Sequence, residues 1–160
     1  HGQIRRQRQM CIRDRAIKRS IEIKADVVSK DEKENGLRAI LNFGHTFGHA
    51  LETIGNNKLY THGEAVALGM LAATKLSESI SDLDPKVFDR VHSTIKNTGI
   101  KVKLKKKIFP KKLIKLMQSD KKKNNSQLKF ILLENIGKAK IKSVTNEVAI
   151  ENAIKNSLFY

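Results

Sequence analysis

Tryptophan is absent, and cysteine occurs once, at Cys11, in a chain of 160 residues. One thiol cannot build a disulfide framework, and it excludes a multi-cysteine zinc finger. Aromatic residues make up 5% of the chain and hydrophobic residues 39%, so a core is possible but has few large side chains to fill it. Long apolar runs are lacking too. The longest, Ala65 to Ala73 with Gly69 counted, is about half of what a membrane span needs. Arg5, Arg6 and Arg8 are not followed by an apolar run, so no secretory signal pattern opens the chain. Neither a strand–helix alternation nor a glycine-rich phosphate loop occurs, which argues against a nucleotide-binding domain within these residues. The expectation is a soluble, cytoplasmic protein that is one domain, or one piece of a larger chain.

Positive charge is what the sequence has in excess: 32 Lys and Arg against 16 Asp and Glu, a net +16. Such a surplus suggests nucleic acid, and a basic RNA-binding module using the Lys101–Lys115 face is the rival reading from a different class. Phe109 is the one aromatic inside the run Lys101 to Lys112, so platforms for stacking bases are scarce. Neither nucleic acid nor a membrane is expected as a partner. The bases are also unevenly spread. Five of the eight arginines fall in the first fifteen residues, and all 24 lysines fall after them. Residues 1–15 have no apolar periodicity, and Met10-Cys11-Ile12-Arg13-Asp14-Arg15 resembles a translated sequencing-adaptor end. They are expected to be a non-native or disordered lead.

Along the body, Ile17, Ile21, Ala25 and Val28 predict a helix from Ala16 to about Ser29. After the polar break Asp31 to Gly36, one continuous helix is expected from about Leu37 to Ile54, stopped by Gly55-Asn56-Asn57. A third helix starts near His62. Asp84-Pro85 is a capping residue followed by a first-turn proline, and it opens a helix running to about Asn97. A short helix fits Pro110 to Ser119. Leu128–Leu133 and Lys138–Val144 then read as the two strands of a hairpin, before a last helix from about Asn146 to Leu158.

On the expected Leu37–Ile54 helix, Arg38, Asn42, His45 and His49 fall at spacings of 4, 3 and 4, within an arc of roughly 60°. Gly44 and Gly48 each cost about 1 kcal/mol of helix propensity, which makes sense if another backbone or a ligand approaches there. His45 and His49 alone would read as a solvated polar pair. With the flanking glycines and with His62-Gly63-Glu64 following, up to three imidazoles become available to a metal ion. Phe43 and Phe47 lie on other faces and are candidates for an exposed apolar surface.

These residues resemble one family. Lys24-Ala25-Asp26-Val27-Val28, then Asp31-Glu32, Glu34, Gly36 and Arg38, lead into Leu41-Asn42-Phe43-Gly44-His45-Thr46-Phe47-Gly48-His49-Ala50. His62-Gly63-Glu64-Ala65-Val66-Ala67-Leu68-Gly69-Met70, Asp120-Lys121-Lys122 and Phe130-Ile131-Leu132-Leu133 continue the likeness. From about Ala16 onward the chain resembles 3-dehydroquinate synthase, in its C-terminal metal-binding domain only. The resemblance implies a mainly α fold with one small β-hairpin, and makes residues 16–160 a helical metal- and substrate-binding domain. It implies a lyase of the shikimate pathway, in aromatic amino acid biosynthesis. This enzyme converts 3-deoxy-D-arabino-heptulosonate 7-phosphate, a phosphorylated sugar acid, to 3-dehydroquinate and phosphate. A related sugar-phosphate cyclase is the closest alternative.

Carried over by position, the resemblance makes His45 and His62 metal ligands for Zn2+ or Co2+, with a glutamate from an N-terminal domain as the third. His49 becomes the catalytic proton-transfer group. Lys24, Arg38, Asn42 and a lysine of the Asp120-Lys121-Lys122 string, Lys122, become substrate contacts. Cations suit a substrate with two anionic groups. The NAD of the family is held by the N-terminal domain, which these residues do not contain. This piece is therefore expected to be inactive alone and to be a homodimer when full length.

Overall fold

A computed structural model describes residues 2–33, 36–56, 58–122 and 128–159, with side chains described throughout these except at 2–6, 9 and 120–122. The elements run α1 (Gly2–Lys30), a 3-10 helix (Leu37–Asn42), α2 (His45–Ile54), α3 (His62–Ser81), α4 (Pro85–Asn97), α5 (Pro110–Lys122), β1 (Lys129–Asn135), β2 (Lys138–Ser143) and α6 (Glu147–Leu158). Mainly helical with one hairpin is therefore the observed class. No described helix is long and apolar enough to cross a membrane. The chain divides into two compact units, His1–Leu41 and Asn42–Tyr160.

In the first unit, α1 begins at Gly2, so the expected helix start at Ala16 is corrected. Residues 2–15 contain no proline, and their Gln and Arg side chains are good helix formers even without an apolar stripe. Beyond α1, Asp31 gathers the turn: its Oδ2 accepts from the backbone N–H of Gly36 and of Arg38, each at 2.9 Å.

The second unit is built around α3. Ala65, Val66, Ala67, Leu68, Leu71, Ala72, Ala73 and Leu76 are all buried, so this helix is covered on nearly every side. Around it pack Phe47 and Leu51 of α2, Phe88 of α4, Phe130 and Leu132 of β1, and Ile150, Ile154 and Leu158 of α6, while Leu113 and Met117 of α5 close the core against α2 and α6. Phe47 is only 2% exposed and its ring lies 5.1 Å from that of Phe130. The expectation of an exposed Phe47 is thus overturned. With so few aromatics, the two large rings meet in the core, and Phe43 is half-buried.

The hairpin is antiparallel, pairing Phe130 with Lys142 and Leu132 with Lys140. The side chain of Ser77, buried in α3, joins it to the core. Its hydroxyl donates to the Ala73 carbonyl at 2.7 Å and accepts from the backbone N–H of Leu133 at 2.9 Å. Removing this oxygen strands a strand-edge N–H away from water. Ser77→Ala is therefore expected to lower the unfolding free energy by about 1–3 kcal/mol, read from urea midpoints at unchanged m-value. A change within a few tenths of a kcal/mol would mean that solvent reaches this N–H.

Candidate functional site

The expected Leu37–Ile54 helix does not run through. It breaks at Gly44, where φ is +84°, into the 3-10 turn and α2. A Cβ on Gly44 would stand 2.6 Å from the backbone N of Met70, so glycine is needed both for its backbone angle and for the closeness of α3. On the facing helix, a Cβ on Gly69 would stand 2.1 Å from the Gly44 carbonyl oxygen, and one on Gly48 3.2 Å from the Cα of Val66. The approaching backbone that the glycine spacing implied is α3. As α2 advances from Gly44 to Gly48 its neighbours recede from Met70 to Ala65, so the two helices run antiparallel. The first turn of α3 is thereby brought beside the middle of α2.

This arrangement gathers three imidazoles. His45 opens α2, His49 follows one turn later, and His62 opens α3. Ring centroids are 5.5 Å apart for His45 and His62, 5.6 Å for His45 and His49, and 6.3 Å for His49 and His62. Two imidazoles bound tetrahedrally to one zinc, each nitrogen at about 2.1 Å, place their centroids roughly 5 Å apart, so the His45–His62 spacing suits a shared ion. Burial pushes the His45 pKa below its usual value, and charge on His49 or His62 pushes it further; the peptide groups of Phe43 and Asn42 oppose this in part. His45 is thereby shifted towards the neutral imidazole, the form in which a histidine ligates a metal. Its Nδ1 is buried without a hydrogen-bond partner of normal geometry, an orphaned polar atom in the cluster. Among the described residues no group of three or more His, Cys, Asp or Glu is placed to hold a metal by itself. What the described residues offer is two imidazoles at a spacing that suits one ion, with a third histidine close by.

His62 is held by the start of its own helix. Thr61 and Glu64 form a reciprocal capping box, with Thr61 N–H donating to Glu64 Oε2 at 2.8 Å and Glu64 N–H to the Thr61 hydroxyl at 3.3 Å. Lys105, from the segment after α4, donates to the same Oε2 at 2.8 Å and to the Leu59 carbonyl at 2.9 Å, while its backbone N–H donates to the Tyr60 hydroxyl at 2.9 Å. The hydrogen bond from Lys105, then that from Thr61, hold the Glu64 carboxyl at about 2, below its usual 4.5. A depressed carboxyl stabilises the fold fully above its unfolded value and loses that contribution as pH falls towards its folded one. The stability gap between the native chain and Glu64→Gln should accordingly be constant above about pH 5 and close between about pH 4.5 and 2. Thermal midpoints of both chains across pH 2–7 test this. A gap unchanged down to pH 2 would detach Glu64 from Lys105.

The other expected site residues are placed as follows. Asn42 ends the 3-10 turn at the start of the second unit, and is exposed. Arg38 lies in the first unit, where its Nη1 donates to the Glu32 carbonyl at 2.8 Å. Lys24 is exposed on α1. The break at Gly44 takes Arg38 and Asn42 off the helical stripe of His45 and His49, so a single helix does not align the four. The side chain of Lys122 lies outside the described residues. One residue that the sequence reading passed over joins the cluster: Glu52, whose Oε1 is 3.0 Å from His62 Nδ1. It follows His49 by three positions, so carrying the stripe one step further would have found it.

The family model for the 3-dehydroquinate synthase C-terminal domain matches residues 2–123. The chain belongs to this family. Among curated relatives, 3-dehydroquinate synthase of Nitrosomonas europaea is 48% identical over 124 residues, covering 78% of this chain and 33% of that protein. The same enzyme of Thermoanaerobacter pseudethanolicus is 43% identical over 131 residues, covering 82% and 36%. The chain thus spans about a third of the length of these 3-dehydroquinate synthases. Among solved structures, 2-deoxy-scyllo-inosose synthase complexed with carbaglucose-6-phosphate, NAD+ and Co2+ superposes with a TM-score of 0.74 at 26% identity, covering 86% of this chain and 39% of that one.

Proposed function

We propose that this chain is the metal- and substrate-binding part of a 3-dehydroquinate synthase, acting on 3-deoxy-D-arabino-heptulosonate 7-phosphate to give 3-dehydroquinate and phosphate. The observation that carries this reading is the convergence of His45, His49 and His62 from two helices locked together at glycines. His45 and His62 hold a divalent cation, zinc or cobalt, whose third protein ligand comes from outside these residues. Bound there, the ion supplies Lewis acidity at the hydroxyl that NAD oxidises and at the ketone that results. His49, exposed and one turn from His45, moves the proton as phosphate leaves. Arg38, Lys24, Asn42 and Lys122 bind the carboxylate and phosphate of the substrate. NAD is bound by an N-terminal domain, and the working enzyme is a cytoplasmic homodimer.

The bound Co2+, NAD+ and phosphorylated carbasugar of the solved relative support the metal, the cofactor and the substrate class. Identities of 43% and 48% to dehydroquinate synthases, against 26% to the inosose synthase, favour the sugar-acid substrate over a glucose phosphate. A chimera tests the reading: residues 16–160 replace the matching part of the Nitrosomonas europaea enzyme, and phosphate release is followed with NAD and zinc. Release from the heptulosonate phosphate, and none from glucose 6-phosphate, is expected. The reverse preference would assign the chain to an inosose-type cyclase. The 160-residue chain alone should release none.

A further inference from the structure

We infer that Glu52 is a positioning residue for His62, its carboxylate accepting the imidazole Nδ1–H and so leaving Nε2 unprotonated and aimed at the point shared with His45. The inference deepens the proposed metal site and rests on it. His62 needs such an anchor. It is the first residue of α3, its side chain is 61% exposed, and core packing therefore does little to fix its ring. Glu52 is better held: its side chain is 20% exposed, and it lies on α2, seven positions after His45 and three after His49. The Nδ1···Oε1 distance of 3.0 Å is that of a direct hydrogen bond.

The nearest alternative carboxylate on α3, Glu64, is taken up by Thr61 and Lys105. Because Gly44, Gly48 and Gly69 fix α2 against α3, donor and acceptor of this bond sit on two elements that cannot drift apart. A neutral imidazole carries its proton on one nitrogen and its lone pair on the other, so the bond selects the tautomer. A carboxylate behind a ligating histidine also raises the basicity of the free nitrogen, and its loss commonly weakens metal binding 10- to 100-fold.

The test uses the 160-residue chain, native and as Glu52→Gln, Glu52→Ala and His62→Ala. Nitrogen-15 spectra of the histidine rings at about pH 8, where imidazoles are neutral, report the tautomer without any metal. Native His62 should carry its proton on Nδ1. Glu52→Gln retains a carbonyl acceptor at the same place and should keep that tautomer, whereas Glu52→Ala should release it. Cobalt affinity, measured by competition with a coloured chelator, should fall 10- to 100-fold in Glu52→Ala and only a few-fold in Glu52→Gln. A native His62 protonated on Nε2 overturns the inference, and so does cobalt affinity untouched by Glu52→Ala but lost in His62→Ala. An equal loss in the Glu52→Gln and Glu52→Ala variants would make Glu52 a ligand, which overturns it as well. If His62→Ala binds cobalt as the native chain does, the metal reading fails, and the tautomer spectra still decide the role of Glu52.

Discussion

Gly69→Ala should lower the unfolding free energy by about 3 kcal/mol or more, or leave the chain unfolded at ambient temperature. The added methyl would stand 2.1 Å from the carbonyl oxygen of Gly44, 2.9 Å from the amide N of Gly48 and 3.0 Å from the Gly44 carbonyl carbon. All three are backbone atoms, so no rotamer change makes room. The helices must part by more than an ångström, and that opens voids around Phe47, Leu51, Leu68 and Leu71, all at most 2% exposed. Gly63→Ala is the internal control. Nothing lies within 4 Å of that position in α3, so alanine there should be neutral or stabilise by up to about 1 kcal/mol. Denaturant midpoints of both variants decide the matter. A Gly69→Ala chain as stable as the native one would disprove the backbone contact, and with it the mechanism that gathers the histidines.

Arg38→Lys, made in the chimera, should lower kcat/KM by roughly 30- to 1000-fold, equivalent to about 2–4 kcal/mol of transition-state stabilisation, with zinc content and thermal midpoint nearly unchanged. A guanidinium presents five N–H donors in a planar fork, and lysine cannot reproduce two parallel bonds to a carboxylate or phosphate. The local structure leaves that capacity in place. Nη1 donates to the Glu32 carbonyl, and the Asp31 carboxylate accepts from the Arg38 main-chain N–H. Among the described residues the arginine side chain is anchored through Nη1, on a turn that Asp31 fixes. If Arg38 is only a surface cation, the substitution should change the rate by no more than about 0.5 kcal/mol. Steady-state kinetics together with a metal assay separate these cases, and a loss of zinc would instead tie Arg38 to the metal.

The parts of the fold that local chemistry specifies were legible in the sequence. Asp84 and Pro85 open α4, the Asp84 carboxylate accepting from Lys86 N–H at 2.9 Å, and Asn146 caps α6 by accepting from Ala149 N–H at 3.1 Å. The change to period-two patterning gave the hairpin. The break at Gly44 was not legible, because a mid-helix glycine and one with positive φ read alike until the chain facing them is known. His45 and His49 kept their relation because both lie on the C-terminal side of that break. His62 joined them through tertiary packing that only the glycines hinted at. For Lys24 and Lys122, spacing carries no comparable signal, and their assignment leans on the family, whereas the stripe that pointed to Arg38 is interrupted at Gly44. Residues 2–15 go the other way: they lack an apolar stripe and are helical nonetheless, because Gln and Arg sustain a helix without one.

The contact between Gly69 and Gly44 bears on how this protein can change over generations. Where side chains space two helices, each Leu-to-Val or Ile-to-Leu exchange in the core nudges the gap, and a site spanning it wanders with the sequence. Here bare peptide groups set the gap. Surrounding core residues such as Leu51 or Leu71 can be exchanged and repacked while the separation between His45 and His62 stays fixed. Divergence can then accumulate throughout the interior without retuning the pair, and the glycines are the positions where neutral drift must stop.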